Sequence, residues 1–265
     1  MTVPATFIAL LILGTSTILL LQTGWFLCSV IWRRNDIADI AWGLHIALLS
    51  ILGFLIYGNH RGLLVASLVT IWGLRLSWHI ARRVWNRTED ERYATWRRDW
   101  GKKVYLRSYL QVFVLQGLLG VIVATPALVA ASIPASWSPL DAVGTIVWTA
   151  GFFFEAIADR QLHLFRADPA NAGKLLRTGL WAWSRHPNYF GEVMQWWGIA
   201  LIALSVPTGY VGIIGAATIT LLIVKVSGIP LLEEKMGAHP DFADYAHTTG
   251  SFFPYPPKRS ATPTP

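Results

Sequence analysis

Residues 6–57 read TFIALLILGTSTILLLQTGWFLCSVIWRRNDIADIAWGLHIALLSILGFLIY, and the short break Trp32-Arg33-Arg34-Asn35-Asp36 in their middle decides the fold. The apolar run on either side of it is long enough to cross the ~30 Å hydrocarbon core of a bilayer. So short a connection leaves only a tight antiparallel helical hairpin. Working outward, further apolar runs of spanning length lie at about residues 61–81, 107–131, 139–158, 189–206 and 209–227. The spacing predicts an all-α, polytopic bundle of about seven transmembrane helices, with another short turn at Ser205–Gly209. Composition agrees: 265 residues that are 54% hydrophobic and 14% charged are too apolar for a soluble domain of this length.

The first span begins without a basic segment and runs on to Arg33-Arg34, so it reads as a retained helix entered with the N-terminus outside, not as a signal peptide. Alternating sides from there places the loop Lys and Arg residues from Arg33 to Arg259 on one face and only Arg61 on the other. That asymmetry predicts a cytoplasmic C-terminus. The net charge of +7 is then accounted for by cytoplasmic loops over anionic lipid, and needs no nucleic-acid partner. A single Cys28 excludes an intrachain disulfide. Residues 1–258 are expected to form one integral-membrane domain, with its cofactor-binding half at about 139–258 and a flexible tail at 259–265.

Polar chemistry collects at the mouths of the cytoplasmic loops. Arg185-His186-Pro187-Asn188-Tyr189-Phe190-Gly191-Glu192 runs from a basic loop into an apolar helix, with Pro187 suited to the first turn. The unpaired N–H groups and positive dipole end of such a helix favour an anion. Asn188, Glu192 and Gln195 or Trp196 recur at helical spacing and supply donors and acceptors for an amide or hydroxyl. Glu155, Asp159, His163 and Arg166 form a second stripe on one helix face, read either as a wall for a cofactor's ribose or amide or as a structural pair at a helix end. Interhelical polar contacts could also be simple packing glue. Arg75 sits a turn or two inside the third span, where it needs an acidic partner, a phosphate or a snorkelling path. Asp39, near the start of the second span, is the obvious ion-pair partner.

The sequence contains no GxGxxG after a strand, no P-loop, no HExxH, no CxxC pair and no GxSxG. Its histidines are scattered without metal-ligand spacing, so no metal site is expected.

Thr178-Gly179-Leu180-Trp181-Ala182-Trp183-Ser184-Arg185-His186-Pro187-Asn188-Tyr189-Phe190-Gly191-Glu192 resembles the C-terminal half of the steroid 5-alpha-reductase and sterol-reductase superfamily, most closely the bacterial branch named DUF1295. That resemblance implies NADPH as cofactor, a lipid-like substrate whose carbon–carbon double bond is reduced, and a site facing the cytoplasm of a bacterial inner membrane. It assigns cofactor contacts to Glu155, Asp159, Arg166, Lys174, Arg185, His186, Asn188, Tyr189, Glu192 and Trp196, and more loosely to Arg75. Glu155 stands where the family has Asn, and Lys174 falls near a family Arg. Glu233 and Tyr245 are similar to the terminal segment that closes over the cofactor. The Gln-Glu pair with which steroid-reducing members grip a ketone is missing from the second span. Asp39 or Tyr93 is the expected substitute for polarising the substrate. The same Arg-His-Pro-x-Tyr-x-Gly motif is also similar to that of isoprenylcysteine and phospholipid methyltransferases, which bind S-adenosylmethionine. The stripe from Glu155 to Arg166 favours the reductase, and a non-catalytic lipid-binding protein is the third reading. Oligomeric state is not legible.

Overall fold

The computed structural model describes residues 4–85 and 87–257. Asn86 and the expected tail at 259–265 lie outside the described residues. Helices α1 (Ala5–Trp32), α2 (Ile37–Tyr57), α3 (His60–Trp85), α4 (Glu91–Val123), α6 (Pro139–Ala167) and α8 (Gly209–Gly237) are each long and apolar enough to cross a membrane. Between and after them come α5 (Thr125–Ser132), α7 (Pro187–Ala203) and α9 (Phe242–Thr248). No strand occurs among the described residues, and the architecture is the expected polytopic helical one.

The structure redraws two of the expected spans. The fourth begins sixteen residues early, because Asp90 caps α4 by accepting the Arg92 N–H at 3.0 Å and the segment expected as loop is helical from Glu91. It ends at Val123, and Pro126, which has no N–H, sits in the first turn of a new helix. The expected span at 189–206 is α7, 17 residues long. At 1.5 Å per residue it measures about 25 Å, short of the ~30 Å core.

The chain divides into two compact units, Met1–Ala142 with Ile199–Gly215 and Val143–Gly198 with Ala216–Pro265. In the first, the α1–α2 hairpin turns through Arg33, whose φ of 53° is left-handed and whose N–H bonds Ser29 O. Helices α2 and α3 touch backbone to backbone: a Cβ on Gly73 would lie 2.4 Å from Gly43 O. Arg61 is buried and held bidentately by Asp141 at 2.7 and 2.9 Å, with Ser136 O at 2.7 Å.

In the second unit, α6 and α7 run antiparallel in equally close contact. A Cβ on Gly151 would meet Gly191 O at 2.6 Å, and one on Gly198 would meet Gly144 O at 2.7 Å. Small residues of this kind let helix backbones approach in a membrane, where apolar burial between helices has no driving force of its own.

Candidate functional site

On the contacting faces of α6 and α7, polar rungs replace the usual apolar packing. Gln195 Nε2 donates to Glu155 Oε2 at 2.6 Å and Asn188 Nδ2 donates to Asp159 Oδ1 at 3.1 Å. The i, i+4 spacing on one helix meets the i, i+7 spacing on the other, so the two expected stripes form one ladder. Glu155, Asp159 and Glu192 are buried, and Gln195 is 1% exposed. With its Nε2 committed, Gln195 Oε1 has no hydrogen-bond partner among the described residues. Trp196 is fully buried beside it. At the far end of α6, Arg166 is exposed, as is Lys174 beyond it.

The loop before α7 is laid down on α6. Leu180 N–H donates to Gln161 Oε1 at 3.0 Å, and Trp181 Nε1 donates to Ala158 O at 3.1 Å. Gly179 has a φ of 63°, a left-handed conformation that favours glycine.

Arg185 and His186 are buried, and both are bound to Glu233. Glu233 Oε1 accepts from Arg185 Nε at 2.9 Å, Arg185 NH2 at 2.7 Å and Ser251 Oγ at 2.8 Å, and lies 3.2 Å from His186 Nε2. Arg185 N–H donates to Gly250 O at 2.9 Å, and Tyr245 OH donates to Trp181 O at 2.5 Å. The terminal segment is thereby clamped onto the motif at the start of α7. Arg185 was expected to face a phosphate; its guanidinium is engaged by Glu233 and by the carbonyls of Ala246 and Thr249. Burial lowers the His186 pKa to about 4 against the opposing pull of Glu233, so the ring is neutral at pH 7. A neutral ring donating from Nε2 to Glu233 presents Nδ1 as an acceptor, and Nδ1 has no partner among the described residues. The ring stacks on Tyr189 at 5.8 Å between centroids. Burial also raises the Tyr245 phenol.

A separate polar network lies in the first unit. Tyr93 OH donates to Asp39 Oδ1 at 2.6 Å, Gln116 Nε2 donates to Tyr93 OH at 3.0 Å, and Arg92 NH2 lies 3.5 Å from Asp39 Oδ2. The two residues expected to polarise a substrate, 54 positions apart, are therefore in contact. Arg92 pairs with Asp39's charge, where Arg75 was anticipated; Arg75 is half-buried on α3. Neighbouring Asp36 is held by Arg34 at 2.7 and 2.9 Å and by Asp90 N–H at 3.0 Å.

Sequence reasoning missed Gln116, Ser251, Trp181 and Asp141 as partners. Gln116 alone carried a signal, as an amide inside an apolar run. Among the described residues no three His, Cys, Asp or Glu side chains gather as metal ligands.

Residues 25–249 match the family described as "Protein of unknown function (DUF1295)". An uncharacterized protein of Schizosaccharomyces pombe is 27% identical over 256 residues, which cover 84% of this chain and 74% of the relative. No solved structure matches.

Proposed function

We propose that this chain, which belongs to the DUF1295 family, is a membrane-embedded, NADPH-dependent reductase of a carbon–carbon double bond in a lipid-like substrate. The observation that carries the reading is the α6–α7 ladder: buried carboxylates and amides in contact, with one buried acceptor, Gln195 Oε1, still open. A polar wall of this kind suits ribose hydroxyls and a carboxamide, whose N–H groups an open amide oxygen can receive. The exposed cations Arg166 and Lys174 lie where phosphates could be neutralised from solvent. The donor set therefore fits the cofactor, with Glu155, Asp159, Asn188, Glu192 and Gln195 holding its uncharged parts.

Bound NADPH would supply a hydride to the β carbon of the double bond. The chain's own part is to position and polarise. Asp39 and Tyr93 offer the polarising pair, because a phenol donating to a carboxylate can turn its proton toward a substrate oxygen. Glu233, Arg185 and Tyr245 hold the terminal segment in place and act on the cofactor through the motif they clamp. The positive charge of the loops supports a site that faces the cytoplasm of the cell membrane.

The buried carboxylates favour a second reading, since they would also suit the cationic sulfonium and amine of S-adenosylmethionine. Thermal unfolding of the purified chain separates the two. NADPH at about a hundredfold excess over its Kd should raise Tm by several degrees while S-adenosylmethionine leaves it unchanged. A rise with S-adenosylmethionine alone overturns the reductase.

A further inference from the structure

In the first unit, Gln116 completes a tight cluster and leaves one of its own hydrogen bonds unmade. Its Nε2 donates to Tyr93 OH at 3.0 Å and approaches Asp39 Oδ1 at 3.4 Å, while Tyr93 OH donates to that same Oδ1 at 2.6 Å. Tyr93 and Gln116 are 23 positions apart in α4, which is about 35 Å along a straight helix. They meet because the chain leaves helical conformation at Gly101 (φ 47°, ψ −123°) and folds Glu91–Trp100 back beside the rest of α4.

Hydrogens fix which way the Gln116 amide points. The phenol has one proton and gives it to Asp39, so toward Gln116 the Tyr93 oxygen can only accept. Asp39, faced by the Arg92 guanidinium at 3.5 Å, is a carboxylate and also only accepts. Both neighbours take N–H groups, which commits the nitrogen end to them and turns Oε1 away. That oxygen is buried and has no hydrogen-bond partner among the described residues. It shares one amide with Nε2, about 2.2 Å away, and so lies within about 5 Å of the Tyr93 oxygen. Gln116 as a whole is half-buried, and Leu115 and Leu118 beside it are exposed, so the cluster borders the lipid face of α4.

We propose that Gln116 binds substrate, and that the group its Oε1 receives is an N–H or O–H on the same carbon as the carbonyl that Tyr93 polarises. The substrate head is then a primary amide or a neutral carboxylic acid. This rests on the reading of Tyr93 as the polarising group. When the phenol turns its proton to the carbonyl oxygen, Asp39 keeps the Gln116 N–H and Arg92, and the adjacent N–H or O–H meets Oε1. A ketone or an ester answers Tyr93 but leaves Oε1 unpaired in a buried place, which is costly. A carboxylate does the same and sets a second anion beside Asp39. An ammonium supplies the donor without a carbonyl, where the Asp39 charge already has Arg92. A lone hydroxyl could make both bonds from one oxygen but offers no carbonyl to polarise, so it enters the test as a rival.

The test is binding to the full chain in detergent, with Kd taken from the concentration dependence of Tm. Four probes share one isoprenoid chain: the primary amide of farnesoic acid, its N,N-dimethyl amide, methyl farnesoate and farnesol. The primary amide should bind about tenfold tighter than the dimethyl amide and the ester, which keep the carbonyl and lack the donor, and tighter than farnesol. Gln116→Met, which keeps the length of the side chain without its acceptor, should erase that preference. Tyr93→Phe should weaken the primary amide and the ester alike. Where Gln116→Met does not fold, the dimethyl amide carries the test in the unaltered chain. Equal Kd values for the amide with and without its N–H groups, a preference that survives in Gln116→Met, farnesol binding as tightly as the amide, or no binding by any probe would each overturn the assignment. The measurement uses no nucleotide, so failure of the NADPH reading and failure of this one are separate results.

Discussion

Helix pairs α2–α3 and α6–α7 are packed by the same device and differ in what they carry. In both, glycines bring backbones into contact, Gly43 against Gly73 in one and Gly151 against Gly191 in the other. The α2–α3 contact is lined by Ala47 and by Ser77, whose hydroxyl donates to Ile40 O at 2.8 Å and so spends itself on backbone. The α6–α7 contact carries Glu155–Gln195 and Asp159–Asn188 as rungs between side chains. Close packing by itself is therefore fold; the buried carboxylates added to one of two similar interfaces are what ask for a functional explanation.

The comparison can be broken most severely at the glycines. Gly73→Val and Gly191→Val each drive a side chain into a carbonyl or amide less than 3 Å away, in helices whose backbones cannot part without losing the interface. Overpacking of this sort costs about 3 kcal/mol or more, and each variant should lose its monodisperse peak in fluorescence-detected size exclusion. A well-folded Gly191→Val would mean that the α6–α7 backbones are not in contact.

The clamp is next. Arg185→Ala leaves the Glu233 carboxylate without its guanidinium and frees two carbonyls, at a cost of about 3 kcal/mol. Thermal unfolding should report this loss, and Ser251→Ala, which removes one neutral donor to the same oxygen, should cost only about 1 kcal/mol.

Acid should weaken the same region by a comparable amount. His186 takes up a proton at about 4 in the fold, whereas an unfolded histidine does so near pH 6.5. Between those values the unfolded chain binds more protons, so stability is complete above about pH 6.5 and falls as pH drops toward 4, by roughly 3 kcal/mol. Tm measured against pH should flatten over that window in His186→Phe. An unchanged profile would show that the ring is not buried neutral.

The mildest test separates function from fold. Asp159→Asn keeps a group able to accept from Asn188 but removes a charge, and should weaken NADPH about tenfold while Tm without cofactor shifts little. The matching change in the other pair, Ser77→Ala, should leave NADPH affinity untouched.

Much of this was legible in the linear order of residues. The helical class, the α1–α2 hairpin and the two stripes of the ladder follow from periodicity, because i, i+4 and i+7 fall on one face of any helix. The bounds of α4 were not legible, because the helix runs back beyond the apolar run to a cap at Asp90 and is cut short of that run's end ahead of Pro126. Gln116 and Asp39 are far apart in the chain and meet both directly, at 3.4 Å, and through Tyr93. The role of Arg185 was misleading in isolation: a cation at a helix mouth predicts an anion, and the anion it holds is the chain's own Glu233.

What the sequence by itself determined is a polytopic helical membrane protein with its polar residues gathered in a few helix-mouth stripes, since spanning length and helical period are local properties. Only the tertiary structure decided which stripe faces which, which charges are already spent within the chain, and which acceptors remain open. Those outcomes depend on contacts between residues dozens of positions apart, and a hydrogen bond that one side chain makes removes that group from every other use.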